Sequence, residues 1–356
     1  MSHAPLLELI RGRIVESVHY GSVAVVDADG KLLASHGDPQ TVAFLRSSAK
    51  PFQALPFVER GGVEFYGYTP RELALSCASH ESAAIHLEAV AALQKKIGIE
   101  ETHLQCGGHM PGDVDMFRKF VISGETPTAN YNNCSGKHTT MLAHAKMRSL
   151  PLENYLDISH PIQQDILNTL AEICGYGCEK IELGVDGCSA PNFALPLYNA
   201  ALGMARLCDP RSLPEPRAAA CRKITSAMNS YSEMVSGFGE FDCEVMKIGA
   251  GRIVTKRGAE GFQIMGILPG VLSPDSPGVG VAIKVSDGDL GQRKDDLTES
   301  SRVRSTIALE ILRQLGALSP EQVQSLSKFG PVRTLKNHRG IITGQARPAF
   351  TLTLNG

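Results

Sequence analysis

The sequence predicts a mixed α/β fold of the α+β kind, with one mixed, largely antiparallel sheet built from both chain ends around an inserted helical region. Three observations predict it: strand-like segments with turn signals near the amino end, a long middle of helical periodicity, and strands that return after residue 250, followed by a helix. No convincing linker interrupts the chain, and residues 208–216 (Cys-Asp-Pro-Arg-Ser-Leu-Pro-Glu-Pro) read as a loop. The expectation is a single catalytic unit over residues 1–356. Its sheet portion spans about 10–60 and 240–356, and its helical portion about 61–239.

Residues 14–26 and 31–35 read as strands around the turn Asp27-Ala28-Asp29-Gly30. Ser47 or Ser48 then starts a helix running through Gln53 and Leu55. Pro51 is tolerated there because first-turn amides lack intrahelical partners. Lys50 follows Ser47 by one turn, so hydroxyl and amine share a helix face. Thr69-Pro70 caps a short helix up to Cys77, and residues 81–97 form an amphipathic one. Helices follow at 113–121, 136–148, 161–174, 193–207 and 217–231, with a short strand at 181–185 that delivers Asp186 and Cys188. Strands are expected at 252–256, 261–268 and 280–285. A helix at 302–315, a small helix near Glu321 and an edge strand at 349–354 complete the chain.

Composition narrows the function classes. The apolar fraction is 43 %, the charged fraction 20 % and the formal net charge −2, with acids and bases interspersed. Nothing there suits a nucleic-acid partner, and without Trp an aromatic base-stacking platform is not expected. The amino terminus lacks a basic segment followed by an apolar core, and no apolar run reaches membrane-spanning length. Nine cysteines, several in helix-like runs, suit a reducing cytoplasm.

Chemistry concentrates in a few segments. In Arg46-Ser47-Ser48-Ala49-Lys50-Pro51, a neutral Lys50 amine would take the proton of Ser47 and make it a nucleophile; a helix-capping Ser beside a solvated Lys has the same spacing. Ser79 sits in a turn between helices and Lys256 at a strand end. The order Ser-x-x-Lys, second Ser, then Lys-x-Gly repeats that of serine β-lactamases and penicillin-binding proteins, although no Asn follows the second Ser. A capping Ser79 and a surface hairpin Lys256 are the plainer accounts. Cys134 and Cys188 lie in polar, glycine-punctuated turns. On spacing alone Cys134, Cys188 and His138 would hold zinc with an open fourth position, and two unconnected turn cysteines fit the same spacing. Cys106-Gly107-Gly108-His109 reads first as loop structure, and Cys243 as a partly buried thiol. Asp186 would orient His138 or bind a substrate ammonium, and a self-capping turn Asp is an equal account.

Taken together, Arg46 to Gln53, Ser79-His80-Glu81, Cys106 to His109, Asn133 to His138, Asp186 to Pro191 and Lys256 to Gly261 resemble the rhizobial-type L-asparaginases, over roughly residues 10–345. The resemblance implies a fold like that of serine β-lactamases and penicillin-binding proteins, a homodimer, and hydrolysis of the L-asparagine side-chain amide to L-aspartate and ammonia. It implies two Ser–Lys couples, Ser47 with Lys50 and Ser79 with Lys256, beside a zinc ion (Zn2+) held by Cys134, Lys137 and Cys188. Lys137 thereby displaces His138 as ligand, and His138 with Asp186 moves to the substrate side. Arg46 is the candidate clamp for the α-carboxylate. Rival readings are a glutaminase or β-lactamase-like acyl hydrolase of the same fold, and a non-catalytic zinc or amino-acid sensor. Intact Ser47, Lys50, Ser79 and Lys256 argue against the sensor.

Overall fold

The computed structural model describes residues 3–289 and 303–355. The chain opens with β1 (Ala4–Arg11), β2 (Ile14–Asp27), β3 (Leu32–His36) and β4 (Val42–Phe44), then passes through a 3-10 turn at Arg46–Ala49 into α1 (Lys50–Glu59). The helical block follows: α2 (Gly62–Tyr66), α3 (Pro70–Ser76), α4 (Ala84–Ile97), α5 (Val114–Ser123), α6 (Ser135–Met147) and α7 (Pro161–Cys174). A strand pair, β5 (Glu182–Val185) and β6 (Pro191–Pro196), precedes α8 (Leu197–Cys208), α9 (Glu215–Ser230), α10 (Ser232–Val235) and α11 (Phe241–Ile248). Last come β7 (Ile253–Arg257), β8 (Phe262–Ile267), β9 (Val279–Val285), α12 (Arg304–Gln314), α13 (Pro320–Ser325), β10 (Arg333–Lys336), β11 (Ile342–Pro348) and β12 (Thr353–Leu354).

The main sheet runs β10-β11-β1-β2-β9-β8-β7, with β3 pairing both β2 and β12. Every pair in it is antiparallel, so the fold is a mixed α/β arrangement with an antiparallel sheet drawn from both chain ends. Its central strands are apolar on both faces because both are covered. Ala24, Val26, Val254, Ile264 and Ala282 join the core under the helical block. Their neighbours Val23, Val25, Ile253, Met265, Val281 and Ile283 point the other way, toward Ile307 and Ile311 of α12.

The differences from the sequence reading are local. Residues 193–196 are strand, not helix: Pro191 and Pro196 bracket β6, and its apolar side chains are buried on both faces. The helix expected from Glu81 starts at Ala84, because Ser82 takes a left-handed φ of 61°. The sequence reading contains no counterpart of β1, β4, α2, α10, α11, β10 and β11. The first residue of the helix expected at 302–315, Arg302, lies outside the described residues. Thr69 does cap α3, in a reciprocal box with Glu72. No helix among the described residues is long and apolar enough to cross a membrane.

α8 lies unusually close to the sheet. A Cβ on Gly280 would sit 1.8 Å from the Ala201 carbonyl oxygen, and one on Gly266 2.3 Å from Cys208 Sγ. Gly280 and Gly266 are register partners on β9 and β8, so the glycines together make the seat of the helix. Gly280→Val should therefore lower the urea midpoint, at a cost of about 3 kcal/mol from forced separation of helix and sheet. An unchanged midpoint would show that the contact is dispensable.

Candidate active site

Three distant segments meet at the free edge of the sheet. β7 brings Lys256, its last residue but one, there. The 3-10 turn at Arg46–Ala49 is pinned against it: Ser48 Oγ donates to the Lys256 carbonyl at 2.8 Å, and a Cβ on Gly258 would lie 2.6 Å from the Leu45 carbonyl oxygen. Arg46 enters this turn at a φ of 51°, a conformation costly for a residue with a Cβ. Its amide donates to Asn192 Oδ1 at 3.1 Å, which helps hold it there. Ser79 arrives in the turn after α3, its amide bonded to the Val235 carbonyl at 2.8 Å.

Two amines converge on one hydroxyl. Lys50 Nζ lies 2.9 Å and Lys256 Nζ 2.8 Å from Ser79 Oγ, and all three residues are buried. Lys50 also donates to the carbonyls of Ala78 and, at 3.5 Å, Asn133, whereas Lys256 finds one carbonyl, that of Arg257 at 2.9 Å. A hydroxyl has one proton to give. It is fully satisfied between these neighbours when Lys50 is an ammonium donating to Ser79 and Lys256 is a neutral amine accepting from it. Burial, then the nearby Lys50 charge, drives Lys256 well below its ordinary range. Burial also lowers Lys50, against the opposing pull of Cys134. Ser47 is half-buried, and its hydroxyl forms no hydrogen bond among the described residues, to Lys50 or to any other group.

The thiols lie on the next layer. Cys134 begins α6, and Cys188 sits in the turn between β5 and β6, where Ser189 has a φ of 66°. Lys137 Nζ donates to Cys188 Sγ at 3.0 Å, and Asn133 Oδ1 lies 3.1 Å from Cys134 Sγ. The hydrogen bond between the two sulfurs pulls Cys134 well below the usual thiol range and pushes Cys188 up. Burial works to lower Lys137, and the two sulfurs override it. No group of three His, Cys, Asp or Glu able to hold a metal occurs among the described residues. His138 is turned to Tyr155, with Nδ1 2.6 Å from the phenol oxygen, and burial keeps it neutral. It makes no contact with either sulfur, unlike the set that spacing alone favoured.

Arg46 Nε and Nη2 both donate to Asp186 Oδ1, at 3.0 and 2.8 Å. The loop at Cys106 to His109 is a brace. The carbonyls of Cys106 and Gly107 accept from Asn132 at 2.9 and 3.0 Å, and His109 Nε2 accepts from the Asn133 amide at 2.9 Å. Cys243 faces Ser232, 3.5 Å away, rather than the other thiols. Sequence reasoning missed Arg257, Glu240 and Asp242. Arg257 stood inside a quoted motif, but nothing in its spacing shows that it meets Glu81 and Glu240.

Comparison with known proteins supplies the class, which is amidohydrolase. Residues 7–348 match the family described as L-asparaginase II, and the chain belongs to that family. No curated protein sequence matches it. Among solved structures, a probable glutaminase from Bacillus subtilis complexed with 6-diazo-5-oxo-L-norleucine is 12% identical, with 84% of each chain covered and a TM-score of 0.40. Mglu in its native form is 14% identical, with 85% of this chain and 66% of that one covered and a TM-score of 0.42. These likenesses are too loose to transfer a role to any residue.

The lowered Lys256 sets the sign of a pH effect on stability. Below its folded pKa the buried ammonium destabilises the protein in full. Between that value and the ordinary 10.5, the unfolded chain binds a proton the folded one does not, so stability climbs with pH. Relative to Lys256→Met, wild-type unfolding free energy should therefore climb across that window. Parallel curves would mean that Lys256 titrates normally.

Proposed function

We propose that the chain hydrolyses the side-chain amide of L-asparagine to L-aspartate and ammonia through an ester on Ser47. The observation that carries this reading is the convergence of the Lys50 and Lys256 amines on Ser79 Oγ, at 2.9 and 2.8 Å. Ser79 is buried and engaged on both sides, which suits a relay. Ser47 is half-exposed, one turn before Lys50, which suits a nucleophile.

At rest the chain of groups is Lys50 ammonium, Ser79 hydroxyl, Lys256 amine. Moving one proton along each link leaves Lys50 neutral and Lys256 charged. Lys50 then takes the Ser47 proton as Ser47 Oγ attacks the amide carbon; with the Arg46 and Ser48 amides engaged by Asn192 and Leu45, stabilisation of the oxyanion falls to other backbone amides beside Ser47. The relay returns a proton to the departing nitrogen, which leaves as ammonia. Water, losing a proton to Lys50, then attacks the ester carbon, and Lys50 passes that proton to Ser47 Oγ as the ester bond breaks, releasing aspartate and restoring the Ser47 hydroxyl. Ser47 and Lys50 share no hydrogen bond among the described residues, and the mechanism requires that contact to form on the bound amide.

The Arg46–Asp186 pair is the charge complement of an α-amino acid: Arg46 would take the α-carboxylate and Asp186 the α-ammonium, with His138, bonded to Tyr155, also assigned to the substrate side. Cys134, Cys188 and Lys137 fit a zinc ion. They are two buried thiols and a buried amine, Lys137 bonded to Cys188 and Cys188 to Cys134, with no carboxylate among them. Zinc, when bound, supplies a fixed positive charge and a Lewis acid beside the substrate. The same reading assigns the serine β-lactamase-like fold, supported by a Ser-x-x-Lys turn docked on the edge strand that bears the second Lys. It also makes the chain a single catalytic unit that works as a cytoplasmic homodimer. All nine cysteines are free thiols, which supports a reducing compartment.

Purified protein should release ammonia from L-asparagine, with less turnover of glutamine and none of a cephalosporin. Ser47→Ala should lose about a thousand-fold or more in kcat, and mass spectrometry of the quenched enzyme should find the aspartyl ester on Ser47. An ester on Ser79 alone would reverse the assignment of nucleophile, and preference for glutamine would reverse that of substrate. Metal analysis should find about one zinc per chain in wild type, by the usual stoichiometry of such sites. Cys188→Ser should lose it, and retained zinc there would sink the ligand set.

A further inference from the structure

One largely buried charge cluster is left without a task by this mechanism. Arg257 follows Lys256 directly, and its guanidinium bridges two carboxylates, Nη2 meeting Glu81 Oε1 and Nη1 meeting Glu240 Oε2. Its main chain is held as firmly. The amide donates to Asp242 Oδ2 at 2.6 Å, and the carbonyl accepts from Lys256 Nζ at 2.9 Å. Asp242 in turn accepts from Thr255 Oγ1 at 3.0 Å and Gln263 Nε2 at 2.8 Å. Arg257 Nη2 also reaches the Ser79 carbonyl, 3.5 Å away. The seat of the Glu81 carboxylate leaves no room beside it: a Cβ on Gly112 would lie 1.5 Å from Oε2, and one on Gly237, at a φ of +117°, 2.8 Å from Cγ.

A buried Arg–carboxylate cluster is weak as a source of stability, because apolar side chains of similar volume do as well. Its placement is more telling. Glu81 stands two residues after Ser79 in the helical block, and Arg257 one residue after Lys256 on β7. These are the two segments that must keep Ser79 Oγ within 2.8 Å of Lys256 Nζ. A planar fork can grip both carboxylates at fixed angles, which a single ammonium cannot.

We propose that Glu81, Arg257 and Glu240 form a positioning clamp that fastens the Ser79 turn to the end of β7 and so sets the Ser79 oxygen between the two amines. The clamp rests on the relay assigned to Lys50, Ser79 and Lys256. Among the described residues, its side-chain contacts run to one another and to the Ser79 carbonyl, not to the hydroxyl or amines of the relay.

The test compares asparagine turnover and its pH profile in wild type, Glu81→Gln, Arg257→Lys and Arg257→Ala, with Ser79→Ala and Lys256→Met alongside. Glu81→Gln and Arg257→Lys should each lose about a hundred-fold in kcat with KM within about twofold, the scale of a slight misplacement of reacting groups. The rising limb of their kcat–pH profile should move up toward the ordinary lysine range. Ethylguanidinium should restore part of the kcat of Arg257→Ala. A clamp that only adds stability would lower the melting temperature and leave kcat per folded molecule and the pH limb unchanged, which overturns the proposal. Full turnover in Ser79→Ala and Lys256→Met would sink the relay itself. Inactive relay variants beside a Glu81→Gln enzyme with wild-type kcat would sink the clamp alone. Should Arg257→Ala fail to fold, Glu81→Gln decides.

Discussion

Ser79 Oγ lies within hydrogen-bond reach of two lysine amines that water does not reach. Two ammonium groups cannot share such a place at neutral pH without large cost, because burial and mutual repulsion both disfavour the second charge. One proton must therefore be missing, and the hydroxyl between the amines is the path by which the remaining one changes sides. Much else in the architecture follows from this constraint. Lys50 must begin a helix, Lys256 must lie one residue from the end of an edge strand, and Ser79 must be held in a turn by the Val235 carbonyl. None of the three can drift without exposing an amine to water and restoring its ordinary basicity.

The surroundings show the same preference for function over comfort. α6 is buried along almost its whole length and yet carries Lys137, His138, Thr139 and His144. Among the described residues, His138 Nε2 and Thr139 Oγ1 have no hydrogen-bond partner. Arg46 and Ser189 both take left-handed backbone conformations beside the Arg46–Asp186 pair. Strain and buried polarity gathered in one place are a common signature of a site that selection has kept despite its cost to stability.

Much of the fold was legible in the sequence, because period-2 and period-3.6 patterns are local. β2, β7, β8 and β9 stood out through their Val, Ile and Thr residues, β3 through the Asp27-Ala28-Asp29-Gly30 turn before it, and α7 through its proline start and glycine stop. β1 and β11 escaped because they mix apolar and charged residues without clean alternation. β6 was misread because a strand buried on both faces lacks the alternation that would separate it from a helix. At the site, the motifs marked the right segments, but contacts across 29 and 177 residues of chain are matters of tertiary geometry. The spacing of Cys134 and His138 suggested a ligand pair, and the structure turns His138 to Tyr155 instead. Arg257 lay in plain view beside Lys256, and its role depends on Glu81 and Glu240, which no local pattern connects to it.

The central claim concerns protonation, so the most direct measurement observes the two amines themselves. NMR titration of protein carrying 15N-labelled lysine side chains, assigned with Lys50→Met and Lys256→Met, would follow each nitrogen from neutral to alkaline pH. The account predicts that one of the two is already neutral near pH 7 and that removing either lysine moves the other toward its usual basicity. Two nitrogens that stay ammonium until the surface lysines titrate would contradict it.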